Sequence, residues 1–183
     1  MKHDYSRKIT NWLRQDETRF SALECAAGLG LDDWCLAAGF VRNLVWDRMH
    51  QKVSSTPLND IDLIYFDLSD TSEDTERRYE EDLRRMLDIP WSVKNQARMH
   101  HRNNDKPYCS TCDAMSYWVE VETAVGAFLA TDGKIEIVAP FGLQPLFNYT
   151  ITLNEKRKKL DDFERRVNTK AWLEIWPKLK VVI

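Results

Sequence analysis

The stretch Asn59-Asp60-Ile61-Asp62-Leu63-Ile64-Tyr65-Phe66-Asp67 opens with two carboxylates and then turns apolar. It reads as a β-strand. Side chains alternate faces along a strand, so Asp60 and Asp62 point the same way with Cα atoms roughly 6.5 Å apart. Two neighbouring carboxylates repel each other unless a cation lies between them. Mg²⁺ or Mn²⁺ held by one or two carboxylates plus substrate phosphates is the usual arrangement. The plainer alternative is that Asx residues are common where a loop enters a strand, because their side chains bond nearby backbone. The residues upstream decide between the two.

Trp34-Cys35-Leu36-Ala37-Ala38-Gly39 is a short apolar run closed by glycine, which predicts a buried strand. Residues 40–50 follow with helical spacing at Val41, Leu44, Val45 and Met49. A small residue at such a junction lets a backbone amide and the helix N-terminus approach a phosphate. The next strand then brings two carboxylates to the metal that bridges those phosphates. In-line phosphoryl or nucleotidyl transfer needs little more than this positioning and charge neutralisation.

Around this unit the chain reads as α+β, or mixed α/β, with a mixed sheet flanked by helices. Residues 4–15 and 17–29 form amphipathic helices, and 72–88 form a charged surface helix capped at Thr71 or Ser72. A strand is expected over 91–97 and a polar, basic loop over 99–112, with a short helix over about 113–120. Asp132-Gly133 marks a hairpin between 125–130 and 135–139, and 141–147 make a short turn or helix. One long basic helix is expected over 155–176, with Leu160, Phe163, Val167, Ala171, Leu173 and Trp176 facing inward. The 183 residues suit a single domain, its core at about 20–147 and its C-terminal helical part at about 155–177.

The chain is 43% hydrophobic and 30% charged, with a formal net charge of -3. Nucleic-acid binding is therefore not indicated by net charge and would need a local basic patch. The sequence shows no apolar signal segment, no run of 18 apolar residues, and four cysteines that do not resemble a disulfide framework. A cytoplasmic setting without membrane association is the expectation.

The stretches AAGFVRNLVWD (37–47), PLNDIDLIYFD (57–67), VKNQARMH (93–100) and APFGLQPLF (139–147) resemble the small bacterial nucleotidyltransferase-like family, formerly uncharacterised, of the DNA polymerase beta nucleotidyltransferase superfamily. The resemblance runs from about residue 20 to 177. It implies an NTP as substrate, an unidentified acceptor, and Asp60 and Asp62 as metal ligands and catalytic residues. Gly39 matches the superfamily's glycine-serine turn, with Arg42 and Asn43 beginning the helix where a triphosphate would lie. Two departures stand out. Phe40 replaces the serine, and the interval from Gly39 to Asp60 exceeds the usual one.

A third carboxylate completes the superfamily site, and the neighbouring strand 91–97 offers Ser92, Lys94 and Asn95 instead. Glu136, in an apolar-acid-apolar setting, is the candidate third metal ligand. Lys94 lies in an otherwise apolar-flanked strand and is expected to pair with the aspartates or with a phosphate. The missing acid leaves open a lapsed nucleotide-binding or regulatory module of the same fold. Cys109 and Cys112, with His100 and His101 upstream, offer a tetrahedral zinc set, although adjacent histidines are poorly placed to share one ion.

Overall fold

The computed structural model describes the backbone of residues 2–183 and the side chains of residues 4–183. Helices α1 (Lys2–Gln15) and α2 (Glu17–Ala27) lead into strand β1 (Trp34–Ala37), helix α3 (Gly39–Met49) and strand β2 (Ile61–Tyr65). Then come α4 (Glu73–Met86), β3 (Trp91–Asn95), α5 (Gln96–Asn103), α6 (Thr111–Met115) and the hairpin of β4 (Gly126–Leu129) and β5 (Ile135–Val138). The C-terminal part contributes β6 (Thr150–Thr152), α7 (Leu160–Thr169), α8 (Trp172–Ile175) and β7 (Lys180–Val182). The architecture is the expected mixed α+β fold.

The main sheet runs β3-β2-β1-β4-β5, parallel between β2 and β3 and antiparallel elsewhere. Period-two alternation divides its residues between two faces. Leu36, Ile61, Leu63, Tyr65, Val93 and Ala127 share one face and are buried with Ile9, Leu13, Leu23, Val41 and Leu44 of the first three helices. Cys35, Ala37 and Ile64 lie on the other face, covered by Met115 and Ala124. Asp62 belongs to this second face, opposite Ala37 on one side and Ser92 on the other. Covering is heavy over β1 and β4 and light over β2 and β3. A cleft is left where the aspartates stand.

Local chemistry sets the elements. Asp16 caps α2 by accepting from the backbone N–H of Arg19 at 3.0 Å, and Ser72 caps α4. The first turn of α4 carries Glu73, Asp74 and Glu76 and its last turn Arg84 and Arg85, matching the helix dipole. Edge strand β3 is closed by this helix: the Val93 and Asn95 N–H groups donate to Glu80 at 2.9 Å and Glu76 at 2.8 Å. Those donors would otherwise invite another strand.

Three sequence expectations need correction. Residues 96–103 are helical, not the start of the polar loop, because the Asn95 side chain caps them by accepting from Ala97 N–H. The short helix after that loop runs over Thr111–Met115, set by a Ser110 cap, and ends before Glu120. The single helix over 155–176 is broken. It becomes a 3-10 turn at Glu155–Arg157, then α7, then α8, with Ala171 at φ +52 between the last two. The break lets Trp172 and Trp176 turn back onto Trp46, their rings 6.1 and 5.1 Å from it. With Ile151, Leu153 and Phe163 they form a second small core. A straight helix could not bring both Phe163 and Trp172 into it.

Candidate functional site

The cleft is organised by the turn between β1 and α3. Ala38 takes φ +56 and ψ -120, a region that favours glycine, and its N–H is fixed to the Val125 carbonyl at 2.8 Å. Its own carbonyl accepts from Val41 and Arg42, leaving the N–H groups of Gly39 and Phe40 at the open helix N-terminus. The strained residue is thus Ala38, while Gly39 begins the helix. A Cβ on Gly39 would meet Asn43 Nδ2 at 3.3 Å and an Arg42 guanidinium nitrogen at 3.6 Å, so the absent side chain keeps this approach clear.

A cavity of about 210 Å³ opens at this helix end, lined by Gly39, Arg42, Asn43, Asp60 and Asp62 among others. Of the residues marked in the sequence as glycine turn, phosphate contacts and metal ligands, Gly39, Arg42, Asn43, Asp60 and Asp62 therefore meet around one space. Asp60 lies just before β2 and is exposed; Asp62 is half-buried on the strand. Burial, then the neighbouring Asp60 charge, pushes the Asp62 carboxyl above its usual range against a hydrogen bond from Ser92. A carboxylate whose ionised form is disfavoured by burial and by a second carboxylate beside it fits a divalent cation. Asp60 and Asp62 would be its protein ligands, with a substrate supplying further oxygens.

Arg42 is 6% exposed, and its guanidinium stacks between Trp46 at 5.0 Å and Trp172 at 4.7 Å. It donates to Thr123 Oγ1 at 2.7 Å and to Asn43 Oδ1 at 2.9 Å, while Nε reaches no acceptor. Among the described residues no carboxylate lies within 4.0 Å of it. Burial lowers its pKa to about 10, opposed by the fields of Glu120, Asp60 and Asp62. A buried cation without a counter-charge suits an anion. Lys170, on the same rim, also has no carboxylate partner among the described residues.

Two candidates are placed differently from expectation. Glu136 is exposed on β5, three strands from β2, about 14 Å across the sheet at ordinary strand spacing. It shares the face of Asp62 but cannot reach it. Lys94 borders the cleft, yet its ammonium lies 3.5 Å from both Glu76 and Glu80 and donates to the Val93 carbonyl, not to the aspartates. The flanking helix supplies the counter-charge that the sequence left unspecified. Ser92 occupies the register position beside Asp62 on β3. Cys109, Cys112, His100 and His101 form no metal cage: among the described residues no group of three His, Cys, Asp or Glu side chains is arranged to hold an ion.

The structure also recruits residues the sequence reading did not single out. Glu120, 1% exposed, holds Arg166 through bonds of 2.5 and 3.1 Å. Arg166 and Thr123 line the cleft on both sides of Asp62. Asp47 accepts from the N–H and hydroxyl of Thr56, each at 2.7 Å, and from Trp176 Nε1 at 2.8 Å. It thereby ties the loop leading to Asp60 and the C-terminal core to α3. None of these has a local sequence signature, because each acts across more than forty residues or through a single side chain.

A positive-φ turn into a helix N-terminus, facing an Asp-x-Asp strand across a cleft, defines a nucleotidyltransferase-type domain. The chain belongs to the nucleotidyltransferase family, whose model matches residues 24–181. It is similar to a protein whose solution structure is described as revealing a CCA-adding enzyme head domain: 31% identity, 96% of this chain and 94% of that chain, TM-score 0.83. A CCA-adding enzyme solved with CTP shares the fold at 11% identity and TM-score 0.64, covering 96% of this chain and 43% of that one. A chain from a tRNA-processing enzyme complex does so at 13% identity and TM-score 0.54, covering 87% and 42% respectively. This chain thus spans less than half the length of those two. No curated protein matches it significantly.

Among the described residues no helix is long and apolar enough to cross a membrane.

Proposed function

We propose that the protein transfers a nucleoside monophosphate from an NTP to an acceptor, with Mg²⁺ or Mn²⁺ held by Asp60 and Asp62. The observation that carries this reading is the shared cavity: a carboxylate pair on one wall and a buried, carboxylate-free Arg42 beside an open helix N-terminus on the other. The first suits a divalent cation and the second suits phosphate oxygens. The CCA-adding enzyme solved with CTP shows the same fold carrying a nucleoside triphosphate.

The β- and γ-phosphates lie against the Gly39 and Phe40 N–H groups, Arg42 and Lys170, and Asn43 orients the Arg42 fork. The acceptor oxygen forms a bond to the α-phosphorus while the bond to the bridging oxygen breaks. Pyrophosphate leaves with the electron pair, and the acceptor's proton passes to a carboxylate of the pair. The bound cation would supply charge neutralisation for the phosphates. Asp47 keeps the Asp60 loop and Trp176 in place around this arrangement.

Calorimetric titration with a non-hydrolysable NTP and Mg²⁺ tests the reading. Metal-dependent binding is expected in the wild type and not in Asp60→Asn/Asp62→Asn. Equal binding in both, or none in either, would overturn it. A second reading, a nucleotide-binding module without turnover, is favoured by Ser92 standing beside Asp62 where an acid would complete the site. It predicts the same binding with no pyrophosphate released under any acceptor condition.

A further inference from the structure

The cleft continues past Asp62 into a second lobe of about 300 Å³. Its walls include Gln96, Met99 and Asn103 on α5 and the aromatic pair Tyr117 and Trp118. Ala38, Asp62, Thr123 and Arg166 line both lobes, so the two spaces meet at Asp62.

The lobes differ in how their cations are balanced. All four cations lining the second lobe have carboxylate partners. Lys94 has Glu76 and Glu80, Arg157 has Asp105, Arg166 has Glu120, and Lys159 has Asp162 at 4.0 Å. Around α3, Arg42 and Lys170 have none among the described residues. Unbalanced cations favour a polyphosphate; balanced ones give a polyanion little and favour an uncharged guest. Amides beside aromatic faces are a surface for hydroxyls carried on a ring.

In-line displacement requires the entering oxygen and the leaving pyrophosphate on opposite sides of the α-phosphorus. With pyrophosphate against α3, the entering oxygen comes from the second lobe. The geometry points to this lobe as the acceptor site, taking a small, uncharged sugar hydroxyl such as that of a monosaccharide or nucleoside. This inference rests on the nucleotidyl-transfer reading. The acceptor oxygen bonds to the α-phosphorus, pyrophosphate departs toward Arg42, and the hydroxyl proton goes to the aspartate pair.

The test supplies wild-type protein with Mg²⁺, NTPs labelled at the α-phosphate, and one probe at a time: adenosine, cytidine, ribose, glucose, or a short single-stranded RNA with a free 3′-hydroxyl. Label is expected on a nucleoside or monosaccharide. Met99→Arg, which fills the lobe, and Tyr117→Ala, which removes an aromatic wall, should each cut that transfer at least about tenfold while binding of a non-hydrolysable NTP with Mg²⁺ stays within about twofold. Label only on RNA, transfer indifferent to both substitutions, or no label on any probe while the NTP still binds would each overturn the acceptor assignment. Failure of the wild type to bind the NTP would overturn the underlying reading instead.

Discussion

Arg98 and Arg42 are both arginines drawn into the protein, and their surroundings are opposite. Arg98 donates to both oxygens of Glu76 at 2.7 and 2.6 Å and to Glu73 at 2.9 Å, so its charge is held more firmly than usual. Glu76 in turn accepts the Asn95 N–H of the edge strand. Every member of that network has a protein partner, and its product is a closed sheet edge. Arg42 is more buried, touches hydroxyl, amide and indole groups, and loses affinity for its proton through desolvation. A charge kept at that cost without a counter-charge suits a ligand that brings one. The contrast separates an arginine that builds the fold from one that the fold keeps available.

Substituting each arginine by methionine should separate the two sharply. Arg98→Met leaves Glu76, which is 2% exposed, with Lys94 at 3.5 Å as its remaining cation, and is expected to cost about 3 kcal/mol of stability in thermal or urea denaturation. Arg42→Met keeps the indole sandwich, removes an unpaired buried charge, and should leave stability unchanged or slightly raised. Its expected defect is a loss of about 100-fold in NTP affinity by calorimetry, as for a charge-assisted contact of about 3 kcal/mol. A large unfolding defect in Arg42→Met with intact nucleotide binding would erase the distinction.

The carboxylate pair extends the comparison to pH. Because Asp62 holds its proton more tightly when folded, its contribution to stability is full below the ordinary aspartate range and falls as pH rises through its raised value. In metal-free buffer the wild type should therefore lose stability across that window. Asp62→Asn should flatten the fall and be more stable than the wild type at neutral pH. Glu122, buried and also shifted upward, remains in the variant and leaves a residual slope of the same sign. Wild-type and variant melting curves that run parallel from pH 4 to 8 would remove Asp62 from the strained pair.

The smallest effect is expected at the turn. Ala38→Gly relieves the backbone at φ +56 but frees the unfolded chain, so a net gain of no more than about 1 kcal/mol should appear in denaturation. A clear loss would mean that the Ala38 methyl group packs in a way that outweighs the strain.

Much of the wall proposed to hold the metal and the phosphates was legible in the sequence. Gly39, Arg42, Asn43, Asp60 and Asp62 lie within one strand-helix-strand unit, where local periodicity dictates which way each side chain points. The opposite wall was not. Glu120, Thr123, Arg166, Lys170 and Trp172 come from a loop and from helices whose faces are set by the second core, and their sequence surroundings look like ordinary surface. Lys94 shows the same limit from the other side. Its place in an apolar-flanked strand signalled a charge needing a partner, but only the docking of α4 on β3 decides that the partners are Glu76 and Glu80. The broken C-terminal helix has the same cause: the apolar pattern through 160–176 is compatible with one helix, and contact with Trp46 imposes the turn at Ala171.

By itself, then, the sequence determined the mixed fold, the start of α4, the hairpin and the strand carrying two acids, because those follow from nearest-neighbour sterics and from apolar spacing along the chain. The tertiary structure decided which cations are balanced, that Glu136 stands strands away from the acids, and that the cleft has two lobes. Those outcomes depend on distances between segments far apart in the chain, and Coulomb interactions, burial and volume are functions of those distances alone.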